Sequence, residues 1–343
     1  MNEIQLPLPP HYDGGQAGLL RKVPYQKIAG AAREWSRLHG VAPACSDGRR
    51  VGLLLIDCQL TFCHPEFELY VGGRSGSGAQ DDMRRLTEFI YRNLGRITAI
   101  HATLDTHRAL QIFFDSFFID AVGGHPAPMT MISREELMDG RWRANPEVAR
   151  ALGLNAPQLQ RYLEHYAGEL EKSGKFQLTV WPYHAMQGGI GHALVPELEE
   201  ACFFHSIARG ASTHFETKGL GELTENYSAL RPEVMSGPRG EPIGAKNEAL
   251  IEALLGYDVL IIAGEAKSHC VAWTVEDLRR EIEVRDPRLA EKIYLLEDCT
   301  SPVVVPGVVD FTEAADAAYE RFRAAGMRVV KSTAVIADWL EMQ

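Results

Sequence analysis

From Val51 onward the sequence alternates short, uninterrupted apolar runs with longer stretches whose apolar positions recur every three or four residues. The first pattern suits strands buried on both faces, and the second suits helices that pack one side against them. In order, the chain offers "VGLLLID", a helix near 81–95, "ITAIHATLD", a strand near "ACFFHSI", a helix near 245–255, "VLIIAG", a helix from about 268, "IYLLED", a helix near 311–325 and "MRVVKS". Such βα alternation predicts an α/β fold with a mainly parallel sheet between two helical layers, a three-layer α/β/α arrangement. Residues 1–48 mix proline and glycine with one amphipathic piece, "YQKIAGAAREWSRLHG", and read as an arm leading into a domain at 49–343. A stretch at about 120–176 is too long for an ordinary connection and reads as an insertion. It carries Leu159, Tyr162, Leu163 and Tyr166 on one helical stripe. A contact between subunits is the expected use of that stripe, ahead of a lid or packing on the parent domain.

Composition narrows the function by exclusion. Hydrophobic residues make up 45% and charged residues 24%, and no apolar run reaches the length of a membrane span. The net charge of −11 without a basic run argues against nucleic acid and anionic membranes, leaving a small-molecule partner and a homo-oligomer as the expected company. "MNEIQLPLPPHYDGGQAGLL" lacks the basic and apolar blocks of a secretory signal, so the expected compartment is the cytoplasm. The six cysteines form no C-x-x-C pair and are read as reduced thiols. "GGRSGSG" and "QGGIGHAL" match neither dinucleotide nor P-loop fingerprints.

Ligand sites in open α/β sheets lie at the carboxyl ends of strands, where four segments place chemistry. "LLLID" ends in Asp57, "ATLDTH" in Asp105 and His107, "IIAGEAKSHC" reaches Cys270 at the start of a helix, and "VWPYH" adds His184. A cysteine at a helix N-terminus feels the partial positive charge and unsatisfied amides there, which favour the nucleophilic thiolate. The same amides, with that of Ala266, would hold an oxyanion. A buried, inert thiol is the commoner fate of a lone cysteine and stays the alternative. Asp57 follows an apolar run, so it is either at the strand mouth, paired, or a structural cap. Asp105, His107 and His184 form a ligand set suited to zinc, iron or manganese, although D-x-H alone is a weak signal. Lys218, before a glycine, reads by itself as an ordinary surface lysine.

Taken in order, "LLLIDCQLTF", "TLDTH", "VWPYHAMQGGIGHAL", "TKGLGELTENYSAL" and "IIAGEAKSHCVAWTVEDL" resemble the isochorismatase-like cysteine hydrolases, most closely their nicotinamidase branch. The resemblance spans about 51–331, with the insertion as a gap. It implies a catalytic triad of Asp57, Lys218 and Cys270, an oxyanion hole from the Ala266 and Cys270 amides, and a divalent metal on Asp105, His107 and His184, with zinc first and iron or manganese as alternatives. It further implies a cis peptide between Glu265 and Ala266, and pocket aromatics at Phe62, Trp181 and Tyr227. Three departures stand out: 77 positions separate His107 from His184, Ala185 replaces a usual cysteine, and Gln111 replaces a histidine found in some members. His269, beside Cys270, is expected to pack or face solvent rather than join the triad.

The implied activity is hydrolysis of a small amide C–N bond through a thioester with release of ammonia, with nicotinamide or a related heteroaromatic amide as substrate. A ureido, carbamoyl or maleamate-type hydrolase with the same triad is the alternative, and a catalytically silent binding protein on this fold is a third reading.

Overall fold

The computed structural model describes residues 5–336 and Trp339; the outermost ends of the expected arm and domain, 1–4 and 340–343, lie outside the described residues. Six strands form the main sheet: β1 (Val51–Ile56), β2 (Ala99–Asp105), β3 (His214–Lys218), β4 (Val259–Gly264), β5 (Ile293–Leu296) and β6 (Arg328–Val330). Their order is β6-β5-β4-β1-β2-β3, and the pairs β1–β2, β1–β4, β4–β5 and β5–β6 are parallel. This mainly parallel sheet with helices around it is the α/β architecture expected from the alternating pattern. Every residue of β1, β4 and β5 is buried, as unbroken apolar runs covered on both faces must be.

The chain divides into two compact units. The first comprises Met1–Leu104, Ala193–Glu216 and Glu248–Gln343, and it holds the main sheet up to the last residues of β2 and β3. In this unit the amphipathic piece near the N-terminus is a helix, Tyr25–His39, ended by Gly40 in the left-handed region. It buries Ile28, Ala32 and Trp35, and the Trp35 ring meets Phe204 edge-on at 5.7 Å.

Phe204 belongs to the segment read from the sequence as a strand near "ACFFHSI", and here the expectation fails. Residues Pro196–Arg209 form a helix, started by Pro196 in its first turn and stopped by Gly210 at φ 63°. Its buried positions include Leu198, Ala201, Cys202, His205 and Ala208, the three-and-four spacing of a helix face. Phe204 and Arg209 are buried too, so the contiguous apolar run marks a helix enclosed on more than one side.

The second unit comprises Asp105–His192 and Thr217–Asn247. Its longest helix, Ala156–Ser173, opens on a capping box between Asn155 and Gln158 and ends at Gly174. The stripe of Leu159, Tyr162, Leu163 and Tyr166 is buried inside this unit. The Tyr162 hydroxyl donates to the Leu223 carbonyl at 2.6 Å, and the Tyr166 hydroxyl accepts from the Glu225 amide at 3.0 Å. The expectation of an intersubunit stripe is therefore corrected: the segment Leu223–Glu225, in the loop after β3, supplies the partner that the sequence left open. No helix among the described residues is long and apolar enough to cross a membrane.

Candidate active site

The first unit supplies a carboxylate and a thiol at one end of its sheet. Register Ile56↔Gly264 aligns the ends of β1 and β4, so Asp57 and the Glu265–Cys270 turn leave neighbouring strands at the same edge. Asp57 is fully buried with φ 47°, an uncommon conformation outside glycine that the short Asp side chain tolerates. Thr103 of β2 fixes it twice, donating its hydroxyl to Oδ1 at 2.6 Å and accepting the Asp57 amide at 3.0 Å. A buried carboxylate thus meets a strong donor, as burial demands.

Gly264 closes β4 at φ 118°, where a Cβ would lie 2.0 Å from the Ile56 carbonyl oxygen. Only glycine lets the two strand ends run this close. The Glu265–Ala266 peptide is cis. Lys267–Val271 then makes a π-helical turn that runs into the helix Ala272–Arg285, and Cys270 is 7% exposed within it. The Ala266 carbonyl accepts from the His269 and Val271 amides at 3.0 and 3.1 Å. His269 packs, as expected: its Nδ1 lies 2.8 Å from the Ser268 hydroxyl, its ring meets Phe311 edge-on, and burial pushes the imidazole down to about 3. Phe62 is buried in the short helix Leu60–Cys63 of the same unit.

The second unit brings together Asp105, His107, His184 and Lys218. Asp105 Oδ2 lies 2.8 Å from His107 Nε2 and 3.6 Å from His184 Nε2, while Oδ1 accepts from Lys218 Nζ at 2.9 Å. Lys218 Nζ also donates to the Asn226 carbonyl at 2.8 Å. Burial would raise the Asp105 carboxyl, but His107, Lys218 and His184 hold it well below the ordinary carboxylate range. Burial lowers His184, against the pull of Asp105.

The donor set fits a cation. His184 Nδ1 faces the Pro182 carbonyl at 2.8 Å and His107 Nδ1 faces the Gly219 carbonyl at 3.3 Å; a carbonyl only accepts, so each Nδ1 carries the proton. Nε2 of both rings then faces the same carboxylate oxygen. One donor atom from each of the three residues lies within 4.8 Å of the others, and all three residues are buried. Three electron-pair donors facing one another in a buried cluster are reconciled by a shared metal ion, with the backbone carbonyls fixing the tautomers from behind.

Several supports of this cluster escape any motif. Phe113 and Phe114 wall it, with ring centroids 4.8 and 5.9 Å from His107. Gln111 is buried; it accepts from the Arg108 amide at 3.1 Å and its Nε2 bonds the Gly219 and Gly221 carbonyls, tying down the loop after β3. Among the pocket aromatics, Trp181 Nε1 donates to the Tyr227 hydroxyl at 3.2 Å, and burial drives that phenol well above its usual range. Gly219 itself has φ 83°, and a Cβ there would lie 2.7 Å from His107 Cε1 and 2.9 Å from Asp105 Oδ1. Left-handed backbone costs a non-glycine residue roughly 1–2 kcal/mol. Gly219→Ala is therefore expected to weaken metal binding by more than about tenfold while the chain still folds, because the strain falls on the ligands. Equilibrium dialysis against zinc beside a thermal melt checks this, and wild-type affinity in the alanine variant would count against the reading of the cluster.

No protein-family model and no curated protein matches the sequence. Among solved structures, the chain is similar to a nicotinamidase pyrazinamidase of Acinetobacter baumanii, with 17% identity and a TM-score of 0.49 over 84% of this chain and 99% of that one. It is similar to the pyrazinamidase of Pyrococcus horikoshii in complex with zinc, with 18% identity and a TM-score of 0.45 over 82% and 99%. It is also similar to an isochorismatase-like hydrolase of Alkaliphilus metalliredigens, with 12% identity and a TM-score of 0.41 over 86% and 99%.

Proposed function

We propose that the protein is a metal-dependent cysteine hydrolase that cleaves the C–N bond of a small amide and releases ammonia, with nicotinamide or a related heteroaromatic amide as substrate. The observation that carries this reading is the alignment of β1 with β4, by which a buried, Thr103-bonded carboxylate and a cysteine-bearing turn leave adjacent strand ends. A carboxylate and a thiol on one sheet edge are the minimal pair for nucleophilic acyl transfer.

In this reading Asp57 takes the Cys270 proton, and the thiolate attacks the carbonyl carbon. The amides of Ala266 and Cys270 hold the resulting oxyanion. The C–N bond then breaks, Asp57 returns the proton to nitrogen, and ammonia leaves a Cys270 thioester. Water, deprotonated by Asp57, attacks the thioester; Cys270 departs as thiol and the carboxylic acid is released. Lys218 supplies positive charge and, through Asp105 Oδ1, fixes the carboxylate whose other oxygen faces the two histidines. Asp105, His107 and His184 would hold the metal, which supplies a Lewis-acidic point for orienting the substrate. Trp181 and Tyr227 are assigned to binding the substrate ring.

The test is ammonia release across a panel of nicotinamide, pyrazinamide, a ureido compound and maleamate, with metal content measured on the same sample. Turnover confined to the pyridine and pyrazine amides, with about one metal per chain, is the expected result. Turnover confined to the ureido compound or maleamate would reject the substrate class, and turnover of none would reject the reaction.

A further inference from the structure

The side chain of Glu265, which opens the turn to Cys270, is completely buried. Its Oε2 accepts from the Ser301 amide at 3.1 Å. Its Oε1 meets no donor among the described residues, and the same serine holds a second buried carboxyl, Asp82. Both Asp82 oxygens are already acceptors: Oδ1 from Arg85 Nη2 at 2.6 Å and Oδ2 from the Ser301 hydroxyl at 2.5 Å. Ser301 thus clamps both acids, and its carbonyl accepts the Lys267 amide at 2.8 Å, inside the turn itself. Two ionised carboxylates buried on the same serine would repel and leave Oε1 without a donor, whereas one added proton lets the two acids share a hydrogen bond.

We infer that Glu265 is held as a neutral acid donating a hydrogen bond to the Asp82 carboxylate, and that this pair, through Ser301, is the positioning device for the turn carrying Ala266 and Cys270. The positioning half rests on the cysteine chemistry proposed above; the proton half does not. Arg85 carries the charge that balances Asp82. Burial pushes Glu265 well above its ordinary 4.5, and Asp82 adds to the effect. Burial also raises Asp82, opposed by Ser301, Glu265 and Arg85. The other titratable groups facing Glu265 are Cys58, Cys63, Tyr70 and Tyr319, with Cys299 beside Asp82; burial drives all of them upward, away from neutral pH.

A carboxyl whose folded value exceeds its unfolded one keeps its proton in the native chain while the unfolded chain loses it, so stability falls as pH rises from about 4.5 toward the folded value. Glu265→Gln keeps a donor and an acceptor without the titration. Its melting temperature is expected to gain on wild type between about pH 5 and pH 8, and parallel curves would overturn the shared proton. Positioning is read separately, from the rate at which iodoacetamide alkylates Cys270 at neutral pH, followed by peptide mass spectrometry to separate it from exposed Cys45. Glu265→Leu breaks the clamp and is expected to slow this reaction by at least about fivefold, with Glu265→Gln within about twofold of wild type, because a displaced turn stabilises the thiolate less. An equal or faster rate in the leucine variant marks a merely structural role and overturns positioning. Should that variant not fold, Ser301→Ala removes the hydroxyl clamp alone and is read by the same rule. Ammonia release measured on the same samples keeps the two ideas apart: its absence from wild type, with the melting and alkylation results as expected, rejects amide hydrolysis and leaves the acid pair standing.

Discussion

Cys270→Ala is expected to lower amide turnover by at least about 10⁴-fold while the chain stays folded. The thiol is small and 7% exposed, so its loss leaves a minor cavity at the turn. What disappears is the protein atom proposed to bond the acyl carbon. Asp57→Asn is the companion variant. It retains an acceptor for Thr103 but cannot carry the thiol proton, and a loss of about 10²–10⁴-fold is expected from removing a positioned base. Ammonia release at saturating substrate, with a thermal melt for each variant, checks both. If the alanine variant keeps more than a tenth of wild-type turnover, Cys270 is a buried core thiol and the reaction belongs elsewhere.

His184→Ala is expected to weaken metal affinity by more than about 100-fold and to raise KM at least about tenfold. Its Nε2 faces Asp105 Oδ2 and its Nδ1 is anchored on the Pro182 carbonyl, so the ring is oriented by its own loop. Phe114 and His107, which now meet the ring edge-on, would remain as packing around a small void. Elemental analysis after dialysis, paired with KM on the best amide of the panel, reads the effect. Full metal occupancy in the alanine variant would make this histidine structural.

Burial symmetry decided how much of the fold was legible. β1 and β4 announce themselves as unbroken apolar runs because helices cover both their faces. Pro196–Arg209 carries a similar run and is a helix, because Phe204 and Arg209 are enclosed on a second side. β3 could not be seen at all: His214, Phe215, Glu216 and Thr217 follow one another without an apolar face, the composition of a sheet-edge strand whose outer side needs no core. At the site, residue type and order were enough to single out Asp105, His107 and His184 as a set, and the structure brings their ligand atoms together. Thr103, the packing of Phe113 and Phe114 on His184, and the joining of Glu265 and Asp82 through Ser301 were not legible, since each acts through a contact across the chain that no local spacing encodes. Lys218 shows the same limit from the other side: unremarkable in sequence, it is buried against Asp105 and the Asn226 carbonyl. The stripe of Leu159 to Tyr166 is legible as a face, but the loop it rests on comes from far along the chain.

The proposed reaction passes through a covalent thioester on Cys270, and intact-protein mass spectrometry of a reaction quenched in acid during turnover detects it. The expected species is heavier than the free chain by the acyl group of the amide, maps to the peptide that contains Cys270 and is absent from Asp57→Asn and Cys270→Ala. Turnover with no acyl adduct under conditions where deacylation has been slowed, or an adduct on any other residue, would contradict it.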